Sequence, residues 1–450
     1  MEHIEYDGIT IVEPSGDHDA LMIDIDESVA AMRRRLAGNK GLVGGTSSKD
    51  TVSVYRVPHS LVDIHPSAIQ PELVSIGPLH QAEGKSLECE GHKWWFLDGL
   101  LLRESQRRGP GLRGCFETMK QLEDRTRGCY DEDIPMSSSD FVQMILLDGC
   151  FIIELFRHVC RNDDVIGKND PISSMPWLIP ILTRDLLKLE NQLPFFVLER
   201  LFDLTRTPGF GDPLPLLALK FFNLSFPRPI QVLKETSGDS EAGVSHLLSL
   251  FHLSFFYTVY TPSEREVLLE HSIQCTTQLR LSGIKFKPQK SDSFLEIKFK
   301  NRVLQVPPIT INDLTIAVLI NCMALEQCKY SIPNYFTSYI AFMSCLINSP
   351  RDVGFLCADG IITSYSHNDY YIAGLFNKLG EKVYLEKSDC YLSQQFRDVE
   401  AYYSSHWGTL MRTYFSTPWS FISVVTAVFL LVLTGGQTVM PILSYINKRS

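Results

Sequence analysis

Apolar positions recur three and four apart through most of the chain between residues 86 and 414, the period of a helix with one buried face. Helices are predicted over Ser86 to Glu104, Gly111 to Tyr130, Phe141 to Arg161 and Pro176 to Leu204. Asp140, followed three residues later by Gln143, fits a capping box for the third. Pro180 and Pro194 are expected to break or kink the fourth, because proline removes a helical hydrogen bond. Thr205 to Pro215 and Phe226 to Gly243 read as loops, the second on account of Pro227, Pro229 and the polar run Glu235 to Glu241. Further helices are expected at Asn334 to Ile347, Tyr370 to Leu379 and Ser388 to Tyr414, with another capped by Asn312 or Asp313.

The period switches to two near residue 294. Leu295, Ile297 and Phe299 alternate with Glu296, Lys298 and Lys300, and Leu304 and Val306 follow Asn301-Arg302. This predicts a hairpin at 294–306, and Ile284 and Phe286, alternating with Lys285 and Lys287, suggest a third strand. The fold class expected is therefore mainly α with a small antiparallel β-sheet. Val52 to Val57 and Leu73 to Ile76 read as short extended pieces closed by Pro58 and Pro78. Ahead of them, Ile25, Val29, Met32 and Leu36 mark a short amphipathic helix over Asp24 to Ala37. Gly38 stops it, and Gly38 to Thr51 has the composition of a linker. Three regions result: an acidic N-terminal segment at 1–51, a helical body at 52–412 and a C-terminal anchor at 413–450.

The anchor rests on a gap in charge. Thr413 through Asn447 holds no Asp, Glu, Lys, Arg or His. Its centre, Trp419 to Val439, would reach about 31 Å as a helix, the thickness of a bilayer's hydrocarbon core. Phe421, Ile422, Val424, Val425, Val428, Phe429, Leu430, Leu431, Val432 and Leu433 together favour insertion by roughly 3 to 6 kcal/mol. Thr434, Gly435, Gly436 and Gln437 subtract from that sum. Tyr414, Trp419 and Tyr445 suit the two interfaces, and Pro418 separates the span from the helix before it. The first 27 residues hold nine acids and no Lys or Arg, the reverse of a secretory signal. Insertion after translation, with the body in the cytosol, is the expectation. Arg397 and Arg412 on one side balance Lys448 and Arg449 on the other, so flanking charge does not fix orientation. Asn223-Leu224-Ser225, a glycosylation triplet, sits in an apolar run and reads as a chance match.

Composition changes this picture little. The 450 residues are 44% hydrophobic and 21% charged, which excludes a mainly disordered, collagen-like or multi-span chain. A net charge of -10 offers no field for phosphate backbones, so no nucleic-acid partner is expected. Eleven cysteines, an odd number without short pairs, favour a reducing compartment. The glycines of Gly38-Asn39-Lys40-Gly41 and Gly44-Gly45-Thr46 lack the register of a phosphate loop. Neither a Gly-x-Ser-x-Gly elbow nor a His-Glu-x-x-His zinc helix occurs. Cys322 and Cys328 lack a second pair and read as core residues. His246 and His252, six positions apart, do not face one ion, and Asp148 and Glu154 share that spacing.

Glu190, Asn191 and Gln192 interrupt apolar flanks and are expected to satisfy backbone groups freed at Pro194; Glu326 and Gln327 raise the same question. No catalytic residue, cofactor or metal ligand is assigned, and the protein is not expected to be an enzyme. The alternative is a membrane-tethered enzyme in which Asp148, Glu154, Glu190 or Glu326 pair in an open cleft at about 5 to 9 Å.

The motifs Tyr55-Arg56-Val57-Pro58, Val74 to His80, Leu147 to Leu155 and Leu189 to Leu198 form one ordered set. Gly283 to Phe286, Ala324 to Cys328, Ser344 to Asn348 and Phe415 to Ser444 continue it. With these blocks the chain, from Val54 to Tyr445, resembles the plant domain of unknown function 247 family. Gln81 departs from the family pattern, where a second His commonly follows His80, and Leu61 to Gln70 is atypical. The resemblance implies a mostly helical body, one C-terminal span, and no established catalysis. Some grass members are implicated in self-incompatibility between pollen and stigma, which implies a recognition or signalling role. The partners expected are the lipid bilayer, through the C-terminal helix, and a protein of unknown identity.

Overall fold

Two helices that are apolar on nearly every side organise the body, as the rule that such helices are buried requires. The computed structural model describes residues 52–81, 87–107, 111–160, 175, 177–206, 211–239, 243–255, 273–329, 331–365, 367–384, 390–414 and 418–447. The predicted helix Asp24 to Ala37 and the linker to Thr51 lie outside the described residues.

After α1 (His59–Val62) and a 3₁₀ turn at Pro66–Ala68 come α2 (Glu90–Arg107), α3 (Gly111–Arg127) and α4 (Ser138–Cys160). Then follow α5 (Leu178–Leu186), α6 (Phe195–Leu204), α7 (Leu214–Asn223), α8 (Ile230–Asp239), α9 (Leu247–Leu253) and α10 (Thr276–Leu281). The second half holds α11 (Asp313–Cys328), α12 (Tyr335–Leu346), α13 (Pro350–Ala358), α14 (Asp369–Gly380), α15 (Ser393–Tyr403), α16 (His406–Tyr414) and α17 (Pro418–Asn447). Helix α4 is the first centre, with α2, α3, α6 and α7 packed around it. Helix α11, buried from Thr315 to Glu326, is the second, against α5, α12 and the 3₁₀ turn.

Local chemistry explains the boundaries. Ser137 caps α4: its hydroxyl accepts the Asp140 N–H at 3.2 Å and donates to the Asp140 carboxylate at 2.7 Å. The box therefore sits three residues earlier than the Asp140 and Gln143 pairing predicted. Asn312 caps α11 as expected, accepting the Thr315 N–H at 2.9 Å. Pro180 falls in the first turn of α5, where a missing N–H has no helical partner to lose, so it neither breaks nor kinks the helix. Pro194 does end the preceding turn and forms the N-cap of α6. The expected loop Phe226 to Gly243 contains α8, which Pro227 and Pro229 precede rather than interrupt and which Leu233 and Thr236 anchor inward. Ser388 to Tyr414 is two helices, because the Ser405 hydroxyl donates to Tyr402 O and accepts from Gly408 N, starting α16.

The hairpin joins β2 (Lys298–Lys300) to β3 (Val303–Val306) in antiparallel register through Asn301 and Arg302, whose φ values of 52° and 63° give the two-residue turn matched to strand twist. β1 (Lys285–Pro288) pairs with β3 in parallel, so the three-stranded sheet, ordered β1-β3-β2, is mixed rather than wholly antiparallel. β4 (Ile309–Ile311) and β5 (Ile362–Ser364) form a separate parallel pair.

Candidate functional site

Residues 53 to 80 cross the body almost without regular structure, apart from α1 and the 3₁₀ turn. Apart from a β-bridge of Val54 to Tyr130, the strap pairs with no strand among the described residues, and much of it is buried. Buried polar side chains supply the missing partners. Asp185, at the end of α5, accepts the N–H groups of Glu72, Leu73 and Val74 at 3.0, 2.7 and 3.1 Å. Lys188 pairs with Asp185 at 2.9 Å and donates to Gln70 O. Asn191 accepts Ile76 N–H at 2.7 Å and donates to Val74 O at 3.1 Å and to Asp185 O at 3.0 Å. Asn321 on α11 donates to Ala68 O and accepts Leu189 N–H, both at 2.8 Å.

The predicted polar triplet performs this work and extends it beyond the Pro194 break. Glu190 accepts Val57 N–H and the Arg56 guanidinium, each at 2.8 Å. Gln192 donates to Leu186 O and Lys188 O at 2.7 and 2.8 Å, and accepts Leu248 N–H at 3.2 Å. Asp148 accepts Gly77 N–H at 2.8 Å and forms a fully buried ion pair with Lys93 at 2.7 Å. Burial opposes the charge on Lys93, but Asp148 and Glu90 outweigh it and hold its pKa above the ordinary lysine value. Gly77 has φ +72°, and a Cβ there would lie 2.6 Å from Gln192 O.

The four carboxylates weighed as a catalytic set are held by different partners. Glu154 takes Arg103 and, at 2.9 Å, Arg157. Glu326 takes His252 at 2.6 Å, the N–H groups of Phe336 and Thr337, and the Thr337 hydroxyl. Asp148 and Glu190 meet the same strap, at Gly77 and Val57 respectively. His246 caps α9 by accepting Ser249 N–H at 3.2 Å, so the two histidines serve different partners. Asn223 accepts Arg228 N–H at 2.7 Å at the end of α7.

A cavity of about 170 Å³ opens beside the strap, lined by Gln70, Pro71, Ser75, His80, Gln81, Leu87 and Glu90. The His80 ring lies 3.5 Å from Glu190, whose other contacts are Arg56 and Val57. Both Glu190 oxygens accept hydrogen bonds, one from Val57 N–H and one from Arg56, so the side chain staples the strap to the body. Sequence reasoning missed Arg56, Lys93, Asp185, Lys188 and Asn321. The available signal was a charge or amide inside an apolar window, as in Asp185 and Lys188 three apart between buried leucines.

The other candidate is α17. It is 30 residues long, and Ile422–Pro441 is long and apolar enough to span a membrane, with none of it buried inside the protein. Leu431 is 75% exposed. The hydroxyls of Thr426, Thr434 and Thr438 donate to Ile422 O, Leu430 O and Thr434 O at 2.8 to 2.9 Å, so these polar groups need no water. The side chains of Trp419 and Tyr445, expected at the interfaces, lie outside the described residues.

The family profile DUF247, described as "Plant protein of unknown function", matches residues 54–433. The UPF0481 protein At3g47200 of Arabidopsis thaliana is 31% identical over 431 residues, covering 90% of this chain and 89% of that one. The putative UPF0481 protein At3g02645 of the same plant is 24% identical over 489 residues, covering 86% and 89%. No solved structure matches the chain. The strap from Val54 on, the polar triplet and the first half of α17 fall within the matched span, and the chain belongs to the DUF247 family of plant proteins of unknown function.

Proposed function

We propose that this protein is a single-pass membrane-anchored recognition or signalling protein whose body binds a protein partner and performs no catalysis. The observation that carries the reading is α17: an uncharged helix whose apolar side chains face outward over a length that matches a bilayer. In water that surface is unfavourable at about 25 cal/mol per Å², and lipid removes the cost. Two further features agree. The candidate carboxylates are engaged in holding the strap and neighbouring helices. All eleven cysteines are free thiols, which suits a body on the reducing, cytosolic side. Pollen-stigma self-incompatibility is one process such a role would serve.

Alkaline carbonate extraction of plant membranes tests the anchor: the full chain is expected to stay with the lipid and a chain ending at Arg412 to be released. Equal release of both overturns the placement. Proximity labelling of the full chain in its own membrane should recover a reproducible protein partner that the truncated chain labels less, and recovery of none counts against recognition.

A further inference from the structure

Arg228 carries a charge without a counter-charge. It sits on the turn between α7 and α8, is 7% exposed, and forms no ion pair among the described residues. Its Nη1 donates to the Ser254 hydroxyl, and its guanidinium lies 4.4 Å from the Phe255 ring centroid and 5.4 Å from that of Phe251. Its Nε and Nη2 are buried and have no acceptor among the described residues. Burial pushes the Arg228 pKa down to about 9, which still leaves a cation at neutral pH. Buried donors of this kind are rarely left orphaned, and an uncompensated buried charge is costly. Moreover, Nε and Nη2 are not an arbitrary pair. Their N–H bonds run parallel along one edge of the planar guanidinium, the edge that grips a carboxylate in two bonds.

Arg228 also lines a cavity of about 800 Å³, within the range of small-molecule sites. The remaining wall is largely apolar, with Phe226, Phe255, Phe294, Pro307, Ile309 and Leu314 contributing. Gln289 lines the same cavity, and its Oε1 is another buried polar atom with no partner among the described residues. Lys290 and Asp292, also in the lining, are both solvent-exposed and of opposite sign, so both are screened and neither sets the charge of the cavity. Two residues of one cavity wall, Arg228 and Gln289, thus carry a buried two-pronged donor edge and a buried acceptor just behind a lining that includes aromatic side chains.

We propose that this cavity binds a small organic carboxylate with an apolar body, the carboxylate held by Nε and Nη2 of Arg228 and the body packed against the phenylalanines. The two donors are closed off from water in the unliganded chain, so the ligand reaches them through a local shift of the wall. That shift offsets part of the gain from the paired hydrogen bonds. The site is separate from the strap and does not depend on the membrane reading.

The test uses the full chain in lipid nanodiscs, with empty nanodiscs subtracted, and calorimetric titration of biphenyl-4-carboxylate, phenylacetate and hexanoate. At least one is expected to bind saturably at a single site. Its neutral amide is expected to bind about tenfold or more weakly, because the amide cannot form two charge-assisted bonds to one edge. Arg228→Met should abolish the preference for carboxylate over amide, and Arg228→Lys should lose most of it, since an ammonium has no matching edge. Circular dichroism checks that both variants fold, and the carboxylate-to-amide ratio on the unaltered chain stands should either fail. Saturable binding by none of the three acids, equal affinity for acid and amide, or inorganic phosphate binding as tightly as the best acid overturns the proposal.

Discussion

Replacing Asp185 with Asn changes few atoms and should destabilise the body severely. The carboxylate is fully buried and accepts three main-chain N–H groups from residues 72 to 74 while pairing with Lys188, also fully buried. The substitution turns one acceptor oxygen into an NH₂ that faces donors, and it leaves the Lys188 ammonium without its counter-charge. Hydrogen bonds to a charged group contribute about 1.5 to 3 kcal/mol each, and removing one partner of a buried pair costs about 3 to 5 kcal/mol. These contributions overlap, so about 4 kcal/mol is the expected loss, a large share of the roughly 5 to 15 kcal/mol that holds a domain folded. Denaturant unfolding of the full chain in detergent would measure it. Hydrogen exchange should show the amides of Glu72, Leu73 and Val74 losing protection more than those of α14, which the strap does not touch through Asp185. The double variant Asp185→Asn with Lys188→Met should recover more than 1 kcal/mol relative to the single one, because the two sites are coupled. A single-variant loss under about 1 kcal/mol, or unchanged protection at residues 72 to 74, refutes the reasoning.

Gly77→Ala should cost about 1 to 2 kcal/mol from its left-handed backbone alone, and more because the new Cβ meets the Gln192 carbonyl; thermal unfolding measures the loss, and an unchanged midpoint contradicts it. Burial, aided by Lys329 and only partly offset by a backbone hydrogen bond at Ser53, pushes His246 down from 6.5 to about 3. Between those values the unfolded chain binds a proton that the folded chain does not, so stability falls as pH drops from 6.5. His246→Asn keeps a helix cap and removes the titration, and its stability should fall less steeply between pH 6.5 and 4; equal slopes would show that His246 contributes nothing. Leu431→Arg near the middle of the span should cost roughly 3 to 4 kcal/mol of insertion, most of the favourable total, and raise the fraction released by carbonate; unchanged retention argues against a span.

The helices that sequence patterns located well are those whose start carries its own chemistry or whose period is long. Asn312 announced α11 although that helix is apolar on all sides and shows almost no face. Where the deciding partner is distant, the pattern fails. The alternation at Ile284 and Phe286 identifies a strand, but the pairing of β1 with β3 depends on the path of the chain between them, and β4 and β5 are three residues each, too short for a period. Helix α8 was hidden by prolines that lie just outside it. In the junction, Glu190, Asn191 and Gln192 stood out because three polar groups were adjacent. Asp185 did not, since its backbone partners lie 111 to 113 positions away.

That distance bears on why the junction is ionic. A buried ion pair can often be exchanged for apolar residues of similar volume without loss, because the charges themselves bring the desolvation cost. Here the exchange is blocked by the main chain. The N–H groups of Val57, Leu73, Ile76 and Gly77 cannot be mutated away, and any apolar replacement for Glu190, Asp185, Asn191 or Asp148 would leave them orphaned in the core. An unpaired strap in the interior therefore demands acceptors at fixed positions, and each acceptor fixes one register of the strap on α4, α5 and the turn before α6. Sliding the strap by one residue would take the N–H groups of Val57, Ile76 and Gly77 away from the acceptors that hold them. The polar side chains thus specify a single placement of residues 53 to 80, which packing of Val54, Leu73, Val74 and Ile76 alone would not discriminate from a shifted one.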